Sequence, residues 1–274
     1  MTFFSAIIFF ILGLIIGSFL NVVICRLNTA RSFGGRSACL SCESKLKWYE
    51  LIPLFSFLGL KGRCRSCKTK ISIQYPLVEL TTGLIFFFLF LKLQDIFYLN
   101  IFLFAITYVY YAIAFSLLMV IAVYDLKHKI IPDILSFAFG ALAFVGLFFF
   151  DNSLFYIHMP LTLEFLSGIF IALPFAFLWL ISGGRWMGLG DAKLALGIGW
   201  LLGFSSAFSS LLVAFWSGAI IGIMLVILSR LDSSRLAKNN KTGKIGMKSE
   251  IPFAPFLVLG ALSAFLFGLN LFNF

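Results

Sequence analysis

The sequence predicts an all-α polytopic membrane protein of about eight transmembrane helices, with a small zinc-stapled cytoplasmic insertion between the first two. Three observations predict it. The 274 residues are 61% hydrophobic and 12% charged, whereas soluble globular domains carry about 25% charged residues. Mean hydropathy is +1.06. The apolar residues gather into runs that approach the roughly 20 residues a bilayer core demands, and polar residues concentrate in one long stretch near the N-terminus.

The first run, within residues 2–24, reads FFSAIIFFILGLIIGSFLNVVI. It has neither a basic region before it nor an Ala-x-Ala cleavage site, so it is expected to stay as a span. Residues 25–75 follow as a polar module. Its Cys39-x-x-Cys42 and Cys64-x-x-Cys67 pairs have the spacing of a four-thiolate zinc site. The alternative is disulfides or free thiols, but structural disulfides are rare in a reducing compartment. Four thiolates close the metal's coordination sphere, so the zinc is expected to be structural, stapling a segment too short to fold on a core alone. Cys25 lies off the pattern and reads as a plain buried thiol.

Residues 76–274 make one multi-helix membrane domain, with spans near 76–93, 99–124, 132–150, 161–183, 191–203, 207–229 and 252–272. The run 191–203 is short and holds Gly197, Gly199 and Gly203, so a seven-span path with a re-entrant piece is the alternative. Pro252 and Pro255 mark the start of the last helix. Orientation follows the basic residues. Arg26, Arg31, Arg36, Lys45, Lys47, Lys61, Arg63, Arg65, Lys68 and Lys70 crowd the first polar segment, and Arg235, Lys238, Lys241, Lys244 and Lys248 fill the last loop. Loops 94–98 and 151–160 contain no Lys or Arg. An eight-span path puts both basic segments and Asp125–Lys129 on one side, which the positive-inside rule makes cytoplasmic. The net charge of +10 is therefore a topological and lipid-facing signal, and no nucleic-acid-binding motif accompanies it.

Acids within or beside spans are costly, and their default reading is functional. They are Glu79, Asp125, Asp133, Glu164 and Asp191. Asp125 and Asp191 fall on the cytoplasmic side, Glu164 on the other. Asp133, after Pro132, reads as a helix cap, which is also the bland alternative for Asp191. Two carboxyls sharing a partly dry site cannot both ionise easily, so one holds a proton while the other stays charged. Such a pair supplies an acid and a base for the attack of water on a peptide bond. Gly188 and Gly190 allow close backbone approach beside Asp191. Lys193 either tunes the pair or extends toward lipid headgroups. A proton-coupled transporter is the rival class, but no repeat between the two halves supports it.

Six stretches in order resemble a known family: GSFLNVVICRLN (17–28), the paired Cys-x-x-Cys knuckles, ISIQYPLVELTTG (71–83), DLKHKIIPD (125–133), GLGDAKL (188–194) and PFAPFLVLGA (252–261). They are similar to the bacterial prepilin peptidases of the type IV leader peptidase family, from about residue 11 to about residue 262. Two departures are Cys39-Leu40, where proline often follows the cysteine, and Asn28, where the first motif often ends in proline.

The resemblance implies a GxGD-type intramembrane aspartyl protease with Asp125 and Asp191 as its catalytic pair, residues 76–274 being the peptidase domain. It implies cleavage of type IV prepilins or type II secretion pseudopilins after a glycine, at the cytoplasmic face of the bacterial inner membrane. It further implies N-methylation of the new amino terminus from S-adenosylmethionine, with Glu79 associated with the methylating form. A peptidase without methyltransferase activity is the nearest alternative. The expected partners are prepilin or pseudopilin substrates and membrane lipid.

Overall fold

The computed structural model describes residues 2–29, 34, 35, 37–39, 41–151, 154, 155, 159, 160, 162–185, 187–235 and 252–271. Arg31, Arg36, Lys238, Lys241, Lys244 and Lys248, which enter the orientation argument, lie outside these residues. The fold is helical: α1 (Thr2–Arg26), α2 (Phe55–Gly59), α3 (Gln74–Leu99), α4 (Ile101–His128), α5 (Asp133–Gly146), α6 (Thr162–Ser182), α7 (Leu189–Arg235) and α8 (Ala254–Phe267). Helices α1, α3, α4, α6 and α7 are long and apolar enough to cross a membrane, which makes this a multi-pass membrane protein. Two strands of two residues each, Phe150–Asp151 and Leu154–Phe155, accompany them.

The chain divides into two compact units, Met1–Val123 with Asn152–Phe155, and Tyr124–Asp151 with Tyr156–Phe274. In the first, α1 lies directly on α3. A Cβ added to Gly13 would stand 2.8 Å from Gly83 Cα, and one added to Gly17 would stand 2.8 Å from Glu79 Cα. The spacing of Gly13 and Gly17 puts both on one helix face and lets the backbones touch, which is how helices associate where lipid removes the hydrophobic driving force. Phe9 stacks on Phe90 at 4.8 Å, and the Tyr108 hydroxyl donates to the Phe86 carbonyl at 3.0 Å, tying α4 to α3.

In the second unit α5, α6 and α8 pack against α7. Phe139 of α5 is fully buried, and the Ser167 hydroxyl of α6 donates to the Gly199 carbonyl at 2.9 Å. Helix α7 is interrupted at Gly203, whose φ of 74° and ψ of 168° are not helical. Its two parts correspond to the expected spans 191–203 and 207–229, so eight apolar helical segments among the described residues match the eight runs of the sequence.

Some ends differ from expectation. Helix α5 stops at Gly146 rather than 150, because the chain tightens into turns in which Phe148 and Phe149 donate to Val145 and Gly146. Helix α8 stops at Phe267 rather than 272, because Gly268 turns left-handed at φ 61° and Leu269 donates back to Ala264. Both helices are 14 residues long, about 21 Å at 1.5 Å per residue. The part of α7 before Gly203 is equally short.

Candidate active site

Helix α4 ends just after Asp125. Lys129 donates its backbone N–H to the Asp125 carbonyl at 2.7 Å and turns left-handed at φ 55°, which stops the helix. Pro132 then takes the extended conformation before α5. The Asp125 side chain is only 5% exposed. Its carboxylate accepts a hydrogen bond of 3.3 Å from the Ala254 N–H, the first residue of α8. A helix N-terminus presents free N–H groups and a partial positive charge, so it favours and orients an anion there.

Asp191 lies in the first turn of α7 and is 9% exposed. The Gly188 backbone amide donates to its carboxylate, and the charge of Asp125 is felt at the same carboxylate. The fold therefore brings together, in one unit, two buried acids that are 66 positions apart in sequence, each turned toward backbone amides at the start of a helix. Gly190 is what permits this approach. A Cβ there would meet the Ile131 Cβ at 2.9 Å, whereas one on Gly188 would meet only the Gly190 amide nitrogen, at 3.9 Å.

Lys193 is held elsewhere. Its Nζ makes an ion pair of 2.6 Å with Asp133 and lies 5.1 Å from the Phe137 ring centroid. Asp133, for its part, caps nothing: the N-cap of α5 is Pro132, whose ring has no side-chain donor or acceptor to offer, and the acid sits one residue inside the helix. The pair ties α5 to α7.

The four cysteines meet in the first unit. Their sulfurs all lie within 4.8 Å of one another, with Cys39 and Cys67 3.8 Å apart and Cys42 and Cys64 4.0 Å apart. A tetrahedral metal with Zn–S bonds of about 2.3 Å requires sulfurs about 3.8 Å apart, so the cluster fits zinc. The two knuckles are built alike. Cys39 and Cys64 receive backbone bonds at their carbonyls from Glu43 and Lys68, which have φ of 55° and 58°, and donate to the carbonyls of Ser44 and Thr69. The Ser44 and Thr69 hydroxyls lie 3.1 Å from the sulfurs of Cys42 and Cys67. The Thr69 hydroxyl and then its backbone N–H stabilise the thiolate and bring the Cys67 thiol down to about 6. Ser44 acts in the same direction on Cys42. Matching CxSCxSK and CxSCxTK patterns (39–45 and 64–70, with Leu40 and Arg65 at the first variable position) carry this duplication in the sequence, a signal that the Cys-x-x-Cys count alone misses.

Glu79 is buried where α3 meets α1. Its Oε2 accepts the Leu54 N–H at 2.9 Å, and the Ser18 hydroxyl is a second partner. Leu54 has the unfavourable φ of 60°, so this bond secures a strained turn at the foot of α2. On the same seam Asn21 is 1% exposed and donates to the Tyr75 carbonyl at 3.1 Å. Asn21 Oδ1 and Gln74 Nε2 are buried without partners. Cys25 is half-buried, 3.5 Å from the Tyr75 hydroxyl. Asn21, Gln74 and the Ala254 amide escape a sequence reading because only contacts distant in the chain reveal them.

Comparison with known proteins gives a consistent result. Residues 11–93 match the bacterial peptidase A24 N-terminal domain, and residues 112–223 match the type IV leader peptidase family. A prepilin leader peptidase/N-methyltransferase of Bacillus subtilis is 32% identical over 97% of this chain and 96% of its own length. A protein of the same name from Myxococcus xanthus is 35% identical over 81% of this chain but 63% of its own length, so the chain spans somewhat less than two thirds of that relative. One from Aeromonas salmonicida is 32% identical over 94% of the chain and 89% of its own length. No solved structure matches the chain.

Proposed function

The chain belongs to the type IV leader peptidase family, and from that premise we propose that it removes the leader of prepilins or pseudopilins and methylates the amino terminus thus formed. The observation that carries the peptidase reading is the pair of buried carboxylates, Asp125 and Asp191, in one electrostatic neighbourhood. Water between them attacks the scissile carbonyl. The ionised carboxylate takes the water's proton while the protonated partner gives its own to the carbonyl oxygen. As the C–N bond of the resulting diol breaks, the first carboxyl passes its proton to the leaving amine while the second, now ionised, takes a proton from a diol hydroxyl, which restores both to their starting states. The Ala254 and Gly188 amides keep both carboxylates oriented, and Gly188 and Gly190 leave room beside them for a substrate backbone. Residues 76–274 serve as the peptidase domain, residues 25–75 as the metal module, and Lys193 as a support of the active-site loop through Asp133.

Cleavage occurs after a glycine at the cytoplasmic face of the bacterial inner membrane. The substrate's apolar helix stays in lipid while its basic leader remains at the basic, cytoplasmic side. The four cysteines hold structural zinc. S-adenosylmethionine supplies the methyl group, and the seam between α1 and α3 has suitable partners for its amino-acid end. Those are the Glu79 carboxylate, the free acceptor Asn21 Oδ1 and the free donor Gln74 Nε2.

The test is mass spectrometry of a prepilin incubated with the lipid-reconstituted protein, with and without S-adenosylmethionine. The wild type is expected to give leader loss plus the mass of one methyl substituent. Asp125→Asn and Asp191→Asn are each expected to lower cleavage by ~10²–10⁴-fold with an unchanged unfolding transition. Undiminished cleavage in either variant would overturn the pair, and leader loss without added mass would leave a peptidase alone.

A further inference from the structure

The cysteine module carries an apolar stripe that the fold leaves uncovered. Trp48, Leu51, Ile52, Phe55 and Leu58 follow one another along the 3-10 turn Trp48–Leu51, the link to α2 and α2 itself. Trp48, Phe55 and Leu58 are 77%, 72% and 71% exposed. Directly after α2 opens a cavity of about 480 Å³, lined by Gly59, Leu60, Lys61, Arg63, Cys64, Arg65 and Lys68, so that it borders the cysteine cluster at Cys64 and its charged lining is basic throughout. Arg65, one of the lining residues, is braced by Tyr49. Its guanidinium donates to the Tyr49 hydroxyl and lies 5.6 Å from that ring's centroid. A concave site whose charged groups are all cations, next in the chain to exposed aromatic and aliphatic side chains, complements an anion that carries an apolar tail.

We propose that this is a binding site for an anionic phospholipid, with the headgroup phosphate in the cationic cavity and the stripe 48–58 set into the adjoining interface. The module is tied at one end to α1 and at the other to α3, both long enough to cross a membrane, so it stays beside a bilayer surface. Tryptophan favours the headgroup level, and an apolar face flanked by Lys and Arg is attracted to anionic lipid. The exposed apolar stripe selects lipid over a soluble anion, which would match the charge but leave the stripe unused.

Hydrogen–deuterium exchange of the full chain decides the matter, in nanodiscs of phosphatidylcholine alone, of phosphatidylcholine with phosphatidylglycerol, and of phosphatidylcholine with inorganic phosphate added. Exchange across 48–68 is expected to slow with phosphatidylglycerol, less so at high salt, and not with phosphate. Lys61 and Lys68 have φ of 51° and 58°, so Lys61→Asn and Lys68→Asn preserve the left-handed backbone. Each is expected to reduce the protection about fivefold, with metal content equal to the wild type as the check on folding. Phe55→Ser with Leu58→Ser should remove the protection of 48–58 in an otherwise intact protein. Equal exchange in the two lipids, equal protection by inorganic phosphate, or protection that requires added prepilin overturns the proposal.

Discussion

Replacing Lys193 with methionine is expected to lower stability by ~1 kcal/mol or less, because its partner Asp133 is 63% exposed and exposed ion pairs contribute little. The same change is expected to leave cleavage within about threefold, since the ammonium is occupied 60 residues away from its own position in sequence by α5. Prepilin cleavage rates and chemical unfolding check both. Cys67 makes a second case. With its thiol brought down to about 6 by Thr69, it is a thiolate at pH 7 in metal-free protein. Its depressed value stabilises the folded module above the ordinary thiol range, and that contribution is lost as pH falls through about 6. Alkylation followed by peptide mass spectrometry, after chelation, should find Cys67 modified early at pH 7 and about tenfold more slowly per pH unit below 6. Asp125, Asp191 and the cysteines were legible in the sequence because their chemistry is costly or periodic there. The role of Lys193 was not, because snorkelling, tuning and pairing demand the same residue.

Helix existence follows from the apolar runs, but the ends and interruptions follow from backbone conformations that the runs do not encode. Gly197, Gly199 and Gly203 all signal a weak span, and Gly203 alone takes a positive φ. A Cβ there would meet nothing within 4 Å, so Gly203→Ala isolates backbone strain from packing. It is expected to cost ~1–3 kcal/mol, read from the unfolding transition in detergent. Gly17→Leu tests the opposite situation, ordinary helical backbone with no space. Its added side chain runs into Glu79 and Val78 of α3, and the expected loss is ~1–3 kcal/mol or more. The stop of α8 at Gly268 belongs with Gly203, both in positive φ, whereas α5 ends at Gly146 through turns that need no such conformation; only the three-dimensional setting decides which glycine acts.

At the scale of the whole chain, the cysteine cluster and the carboxylate pair lie in different compact units. Chelation or Cys39→Ser, which would strip the proposed zinc, is expected to loosen the module and suppress methylation about tenfold or more, while leader removal falls far less; the mass assay reads both products at once. The order of the six motifs made the family legible, yet the division of the chain at Val123/Tyr124, inside α4, leaves no mark in hydropathy, since one uninterrupted apolar helix serves both units. The short segments have a consequence of their own. Helices α5, α8 and the first part of α7 are about 9 Å shorter than a hydrocarbon core of about 30 Å; α7 begins two residues before Asp191, α8 begins at the amide bonded to Asp125, and α5 begins just after Ile131, which faces Gly190. The hydrophobic mismatch falls beside the two buried carboxylates, so lipids with shorter acyl chains relieve it and longer ones strain it. Prepilin cleavage in vesicles of graded acyl length is therefore expected to vary with bilayer thickness.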